Sequence, residues 1–206
     1  MNAFKSITLT LAAAAVLGTS LSGCAPLIIG GAAGSVLVAT DRRTAGTQLE
    51  DETIELRAKS QIRDQLGTRV RIDVNSYNRL ALLTGEVASA ADKQAVERIV
   101  AGVQNVRSVV NELAVLNTPS LWDRSNDLLI TGKVKAGFID AKVPVTAVKV
   151  TTERSVVYLM GRVTAKEAET ATNAARSVSG VQRVVRMFEL ISQEELDRQR
   201  GTASKS

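Results

Sequence analysis

The chain carries the same pattern twice. Slid by 76 residues, Asp51 falls on Asp127, Ile54 on Ile130, Lys59 on Lys135, Ile72 on Val148, Val74 on Val150, Gly85 on Gly161 and Val87 on Val163. After the next helix the offset is 75: Val106 falls on Val181, Val109 on Val184 and Val110 on Val185. Self-similarity at this period means one supersecondary unit used twice, so a fold for one unit is a fold for most of the chain.

Each unit opens with a helical stripe, Ile54, Ala58 and Ile62, then Ile130, Val134 and Phe138. An alternating strand follows through Val70, Ile72 and Val74, or Val148, Val150 and Thr152. Turns at Asn75 to Arg79 and Glu153 to Ser155 lead to second strands, Leu80 to Thr84 and Val156 to Met160. Gly85 and Gly161 end those strands. A second helix starts at Ser89 or Thr164, and Thr164 with Glu167 spells a capping box. It buries Ala95, Val96, Ile99, Val100 and Val103, or Ala171, Ala174, Ala175 and Val178. A last strand follows Val106 or Val181. The expected class is α+β: two tandem αββαβ repeats, each a three-stranded mixed sheet with two helices on one face. With 3% aromatics, the core falls to Val, Ile, Leu and Ala. A unit of about 65 residues is marginal alone, so the two are expected to pack together.

Ahead of the repeats, Lys5 precedes an apolar run from Ile7 to Gly18, and Leu21-Ser22-Gly23-Cys24 ends it. A basic start, a short apolar stretch and small residues before a cut site describe an export signal, and the run is short for a membrane span. Leu, small, small, Cys is a bacterial lipobox. The small residues admit the peptidase, and only a thiol can take a diacylglyceryl group as a thioether. Cys24 is the sole cysteine and the expected lipidation site. Ala25 follows it rather than Asp, which by the sorting rule of such lipoproteins directs the chain to the outer membrane, facing the periplasm. The expected organisation is a signal peptide over 1–23, a lipidated tether over 24–50 that includes Gly30, Gly31 and Gly34, repeats over 51–116 and 126–191, a linker over 117–125, and a polar tail over 192–206, a frayed helix and then disorder.

The chain has no histidine, and its one cysteine is taken by lipid, so the usual transition-metal ligands and the commonest general base are missing. No cofactor beyond the covalent lipid on Cys24 is expected, no catalytic residue stands out, and the reading is of a non-enzyme. The net charge of +5 favours anionic partners such as phospholipid head groups, and the export signal excludes nucleic acid.

Gly85-Glu86-Val87 with Val106 to Val110, and Gly161-Arg162-Val163 with Val181 to Val185, resemble the signature of the BON domain. The family's glycine before the last strand stands at Gly180. In the first repeat Asn105 replaces it, a residue that also accepts left-handed geometry. Lipobox plus two such units resembles the dual BON-domain outer-membrane lipoproteins, over roughly residues 20–191. The resemblance implies binding of the anionic phospholipids phosphatidylglycerol and cardiolipin, a role in envelope integrity, and gathering at division sites.

The two first helices offer a comparison within the chain. Away from the core stripe, repeat two presents Leu128, Gly132, Lys135 and Ile139 where repeat one presents Glu52, Leu56, Lys59 and Arg63. Leu129 adds an aliphatic, and Lys133, Lys135 and Lys142 add cations. Apolar residues beside cations on an exposed helix face suit a bilayer interface. The expected lipid-binding set is therefore Leu128, Leu129, Gly132, Lys133, Lys135, Ile139 and Lys142. Two alternatives stay open: the same face packs against repeat one or the tether, or it docks an outer-membrane assembly or division protein. Leu129 stands where the family relative has tryptophan. Trp122 is either a substitute interfacial anchor or a wedge between the repeats. Asp127 reads as a cap or first-turn acid.

Overall fold

The computed structural model describes residues 41–67, 70–116 and 121–203. Cys24, the export signal and most of the tether lie outside them.

Thr44 caps α1 (Ala45–Leu66), the first helix of the described residues, by accepting from the Thr47 N–H. Asp51, Ile54, Ala58 and Ile62 form its buried stripe. Strands β1 (Arg71–Tyr77) and β2 (Leu80–Val87) pair antiparallel from Arg71 opposite Glu86 to Tyr77 opposite Leu80. The two residues between them, Asn78 and Arg79, have φ of 50° and 67°, the geometry of a primed hairpin turn. Helix α2 (Ala90–Ala101), capped by Ser89, returns the chain to the other edge of β2. There β3 (Ser108–Asn111) and β4 (Ala114–Val115) run parallel to β2, one strand broken where Leu113 turns into the core.

Repeat two follows suit: α3 (Leu121–Asp140), β5 (Val148–Glu153), β6 (Val156–Val163), α4 (Ala165–Arg176) and β7 (Arg183–Leu190), with β7 parallel to β6. Arg154 and Ser155, at φ of 53° and 61°, make the matching turn. Both halves of the Thr164–Glu167 capping box are formed. Asn105 (φ 72°) adopts the same left-handed backbone as Gly180 (φ 96°).

Gly85 and Gly161 have a steric reason. A Cβ on Gly85 would stand 2.2 Å from the carbonyl oxygen of Arg71, and one on Gly161 2.4 Å from that of Ala147. The neighbouring strand passes too close for any side chain there.

Each repeat buries its own core between helices and sheet: Ile54, Val74, Leu83 and Val96 in the first, Ile130, Phe138, Leu159 and Ala171 in the second. A third core, Tyr77, Leu82, Tyr158 and Met160, lies where the sheet faces turned away from the helices meet. The layers are therefore helix, sheet, sheet, helix. This accounts for β2 and β6 being buried on both faces.

Four expected boundaries move. The tether does not run to residue 50: α1 begins at Ala45, because polar first turns held by a cap carry no apolar stripe to betray them. The linker over 117–125 is helical from Leu121. The first turn is two residues rather than five, since Asn75 to Tyr77 are paired in β1. The tail opens on a packed helix rather than a frayed one: α5 (Gln193–Ala203) forms, with Ser192 Oγ accepting from the Glu195 N–H at 3.1 Å and Leu196 buried.

Candidate functional site

Helix α3 is two-faced. Asp127, Ile130, Val134 and Phe138 point inward and are at most 6% exposed. On the other side Leu128 is 74% exposed, Leu129 64% and Ile139 67%. Gly132, Lys133 and Lys135 are exposed on the same helix, and Lys142 is exposed just beyond its end. Within the described residues this face does not pack against repeat one. Trp122 lies in the first turn of α3; its side chain is outside the described structure.

The electrostatics follow from the repeat. In repeat one Lys59 pairs with Asp73 at 2.7 Å. The residue matching Asp73 is Lys149, which crosses instead to Glu55 at 2.7 Å and to the Ser76 carbonyl at 3.2 Å. Lys135, the match of Lys59, therefore loses its acid. Among the described residues Lys133, Lys135 and Lys142 have no ion-pair partner. A face with three large aliphatics and three uncompensated cations is complementary to an anionic, apolar surface. Sliding Asp73 onto Lys149 in the sequence would have exposed this charge reversal.

Asp127 is not free to serve this face. Its carboxylate accepts from the N–H groups of Arg154 (2.6 Å) and Ser155 (2.8 Å), holding the hairpin turn. Asp51 does the same for Asn78 (2.7 Å) and Arg79 (2.8 Å), and also takes bonds from Ser76 and Arg43. The expected helix-terminal acid is thus a buried turn clamp in both repeats. A shallow hollow of 190 Å3, lined by Asp127, Leu128, Thr131, Thr152 and Glu153, adjoins the apolar face.

The end of the tether is a strap that sequence reasoning missed. Arg42 donates to both carboxylate oxygens of Glu167 and to the Arg162 carbonyl in repeat two. Arg43 pairs with Asp51 at 2.6 Å and lies 4.2 Å over the Tyr77 ring in repeat one. Tyr77 in turn accepts from the Arg162 N–H. The hydrogen bonds from Arg42, with help from Thr164, hold the Glu167 carboxyl down at about 2 against the upward push of burial. Arg162 also bonds Glu189 and Glu195, tying in α5. The only sequence signal was two adjacent arginines before an acid-bearing helix.

No group of three or more His, Cys, Asp or Glu side chains that could hold a metal occurs among the described residues, and none of their helices is long and apolar enough to cross a membrane.

The BON domain family matches residues 50–117 and 126–192. The chain is 37% identical over 174 residues to outer membrane lipoprotein DolP of Haemophilus influenzae, covering 83% of this chain and 90% of that protein. It is 31% identical over 154 residues to the 21 kDa hemolysin of Actinobacillus pleuropneumoniae, covering 73% and 79%. It is 29% identical over 144 residues to osmotically-inducible protein Y of Escherichia coli, covering 68% and 72%. With two matched repeats, the fold they specify and these relatives, the chain belongs to the BON domain family and is a dual BON-domain outer-membrane lipoprotein.

Proposed function

We propose that this lipoprotein binds anionic phospholipid, phosphatidylglycerol or cardiolipin, through the outer face of α3 and so supports envelope integrity, while the acylated Cys24 keeps it at the membrane. The reading is of a binding module rather than an enzyme. The observation that carries it is the contrast between equivalent helices. Glu52, a paired Lys59 and Arg63 in repeat one become Leu128, an unpaired Lys135 and Ile139 in repeat two.

Magnitudes divide the labour. A large aliphatic side chain moved fully out of water is worth about 1.5–3 kcal/mol, so Leu128, Leu129 and Ile139 give general attraction to any bilayer. A lysine near an anionic surface adds about 1 kcal/mol, so Lys133, Lys135 and Lys142 together set an upper preference for anionic over zwitterionic lipid of about 100-fold. The lipid anchor already secures membrane residence, which leaves the α3 contact to select where on the membrane the protein gathers, division sites included.

The test is sedimentation of the mature chain carrying Cys24→Ser with vesicles of phosphatidylglycerol or of zwitterionic lipid. Strong binding to the first and weak binding to the second is expected. Equal binding to both sinks the lipid-specific reading. Indifference to all vesicles together with one discrete crosslinked envelope protein would favour a scaffold for assembly or division factors.

A further inference from the structure

Helix α3 contains a glycine for which the described residues give no packing reason. Gly132 sits in the middle of α3, where glycine weakens a helix relative to alanine. A Cβ built on it would meet nothing within 4 Å among the described residues. Its neighbour Gly137 differs: a Cβ there lies 3.8 Å from the Ala174 carbonyl of α4, so helix packing explains it. At the position matching Gly132, repeat one carries Leu56, which is 71% exposed and equally unhindered. The fold therefore accepts a large side chain at this place in the repeat.

What surrounds Gly132 is one-sided. Leu128 and Leu129 precede it by a turn, Lys135 and Ala136 follow by a turn, and Ile139 lies a turn further along the same stripe. Three exposed aliphatics thus flank a gap floored by helix backbone, with the unpaired Lys133 and Lys135 beside it. Resting on the reading of α3 as the lipid face, we infer that Gly132 is a specificity-determining residue. Its missing side chain leaves a notch that seats the phosphate of one anionic phospholipid, countered by Lys133 and Lys135, while Leu128, Leu129 and Ile139 enter the acyl region around it. The charge of the two lysines selects the occupant: a phosphodiester head group rather than an acyl chain.

This differs in sign from simple apolar attraction. If α3 bound lipid only through greasy area, adding a side chain at position 132 would strengthen binding. If the notch seats a head group, filling it weakens binding. The experiment compares the mature Cys24→Ser chain with its Gly132→Ala and Gly132→Leu variants, by thermal melting and by sedimentation with phosphatidylglycerol and zwitterionic vesicles.

Gly132→Ala is expected to raise the melting temperature by about 2–4 °C, the size of a helix-propensity gain in a chain this long, while lowering phosphatidylglycerol binding about threefold. Gly132→Leu is expected to lower it about tenfold, with a far-ultraviolet spectrum like the parent, since a tenfold loss corresponds to about 1.4 kcal/mol, the scale of one displaced charge contact. A lower melting temperature for Gly132→Ala would mean that the fold itself needs the glycine and overturns the inference. So does phosphatidylglycerol binding by both variants as tight as the parent's, or tighter, which leaves α3 as a lipid face without a notch. Equal binding of the parent to both vesicle types overturns the lipid reading along with it.

Discussion

Arg42 and Glu167, 125 residues apart, form a two-bonded ion pair: Nη2 donates to Oε1 at 2.7 Å and Nη1 to Oε2 at 2.8 Å. Arg42 belongs to the segment just ahead of repeat one, and Glu167 completes the cap of α4 in repeat two. The next residue, Arg43, holds Asp51 of repeat one. The chain is thus fastened to both repeats just ahead of α1.

Glu167 titrates near 2 when folded, chiefly because Arg42 hydrogen-bonds its carboxylate, against an ordinary value of 4.5. A carboxyl depressed on folding stabilises the native state above its unfolded value, and that contribution disappears as pH falls from about 4.5 through about 2. Arg42→Ala is expected to cost about 2 kcal/mol at neutral pH in urea unfolding. The gap to the parent is expected to narrow steadily through that acid window. A gap independent of pH would mean that Arg42 acts by packing alone.

Asp127→Ala is expected to destabilise repeat two by about 2 kcal/mol, because the N–H groups of Arg154 and Ser155 lose their acceptor. Asp51→Ala is expected to cost more, since Arg43 and Ser76 lose the same partner. Paired denaturation curves check the order, and equal costs would contradict the role given to Arg43.

Gly85→Ala places a Cβ 2.2 Å from the Arg71 carbonyl oxygen on β1, and Gly161→Ala places one 2.4 Å from the Ala147 carbonyl oxygen just ahead of β5. Strand separation or loss of folding is expected, at about 3 kcal/mol or more in calorimetry. A melting point within a degree or two of the parent in either variant would show that the strands yield more easily than their pairing implies.

Leu128→Asp combined with Ile139→Asp is expected to leave the melting temperature nearly unchanged, because both side chains are more than two-thirds exposed. Sedimentation with phosphatidylglycerol vesicles is expected to be abolished. Replacing Lys133, Lys135 and Lys142 with Gln is expected to remove the anionic preference, by up to about 100-fold, while residual binding to zwitterionic vesicles persists. Raised salt should weaken the parent and not the Gln variant.

Much of the fold was legible because its signals are local. The stripes Ile54–Ala58–Ile62 and Ile130–Val134–Phe138 have helical spacing, and both are buried as read. The capping box at Thr164 needs only residues three apart, and it forms. The exposed face of α3 could be read by subtracting the core stripe and comparing repeats. The turn role of Asp127 could not, because its partners lie 27 and 28 residues on, in a hairpin whose approach to α3 is set by packing. The length of α5 was hidden for a similar reason. Its sequence is polar, and it is held by Leu196 in a buried seat and by Arg162 on β6.

The sequence by itself determined the repeated αββαβ unit and the membership in the family, since each rests on residue type and short-range periodicity. Only the tertiary structure decided that the two sheets stack through Tyr77, Leu82, Tyr158 and Met160, that Arg42 and Arg43 strap the repeats, and that Lys149 turns away from α3 toward Glu55. Apart from Arg43 with Asp51, those contacts join residues far apart in the chain. Their energy depends on which faces are left unsatisfied after each repeat has folded, and no local pattern records that.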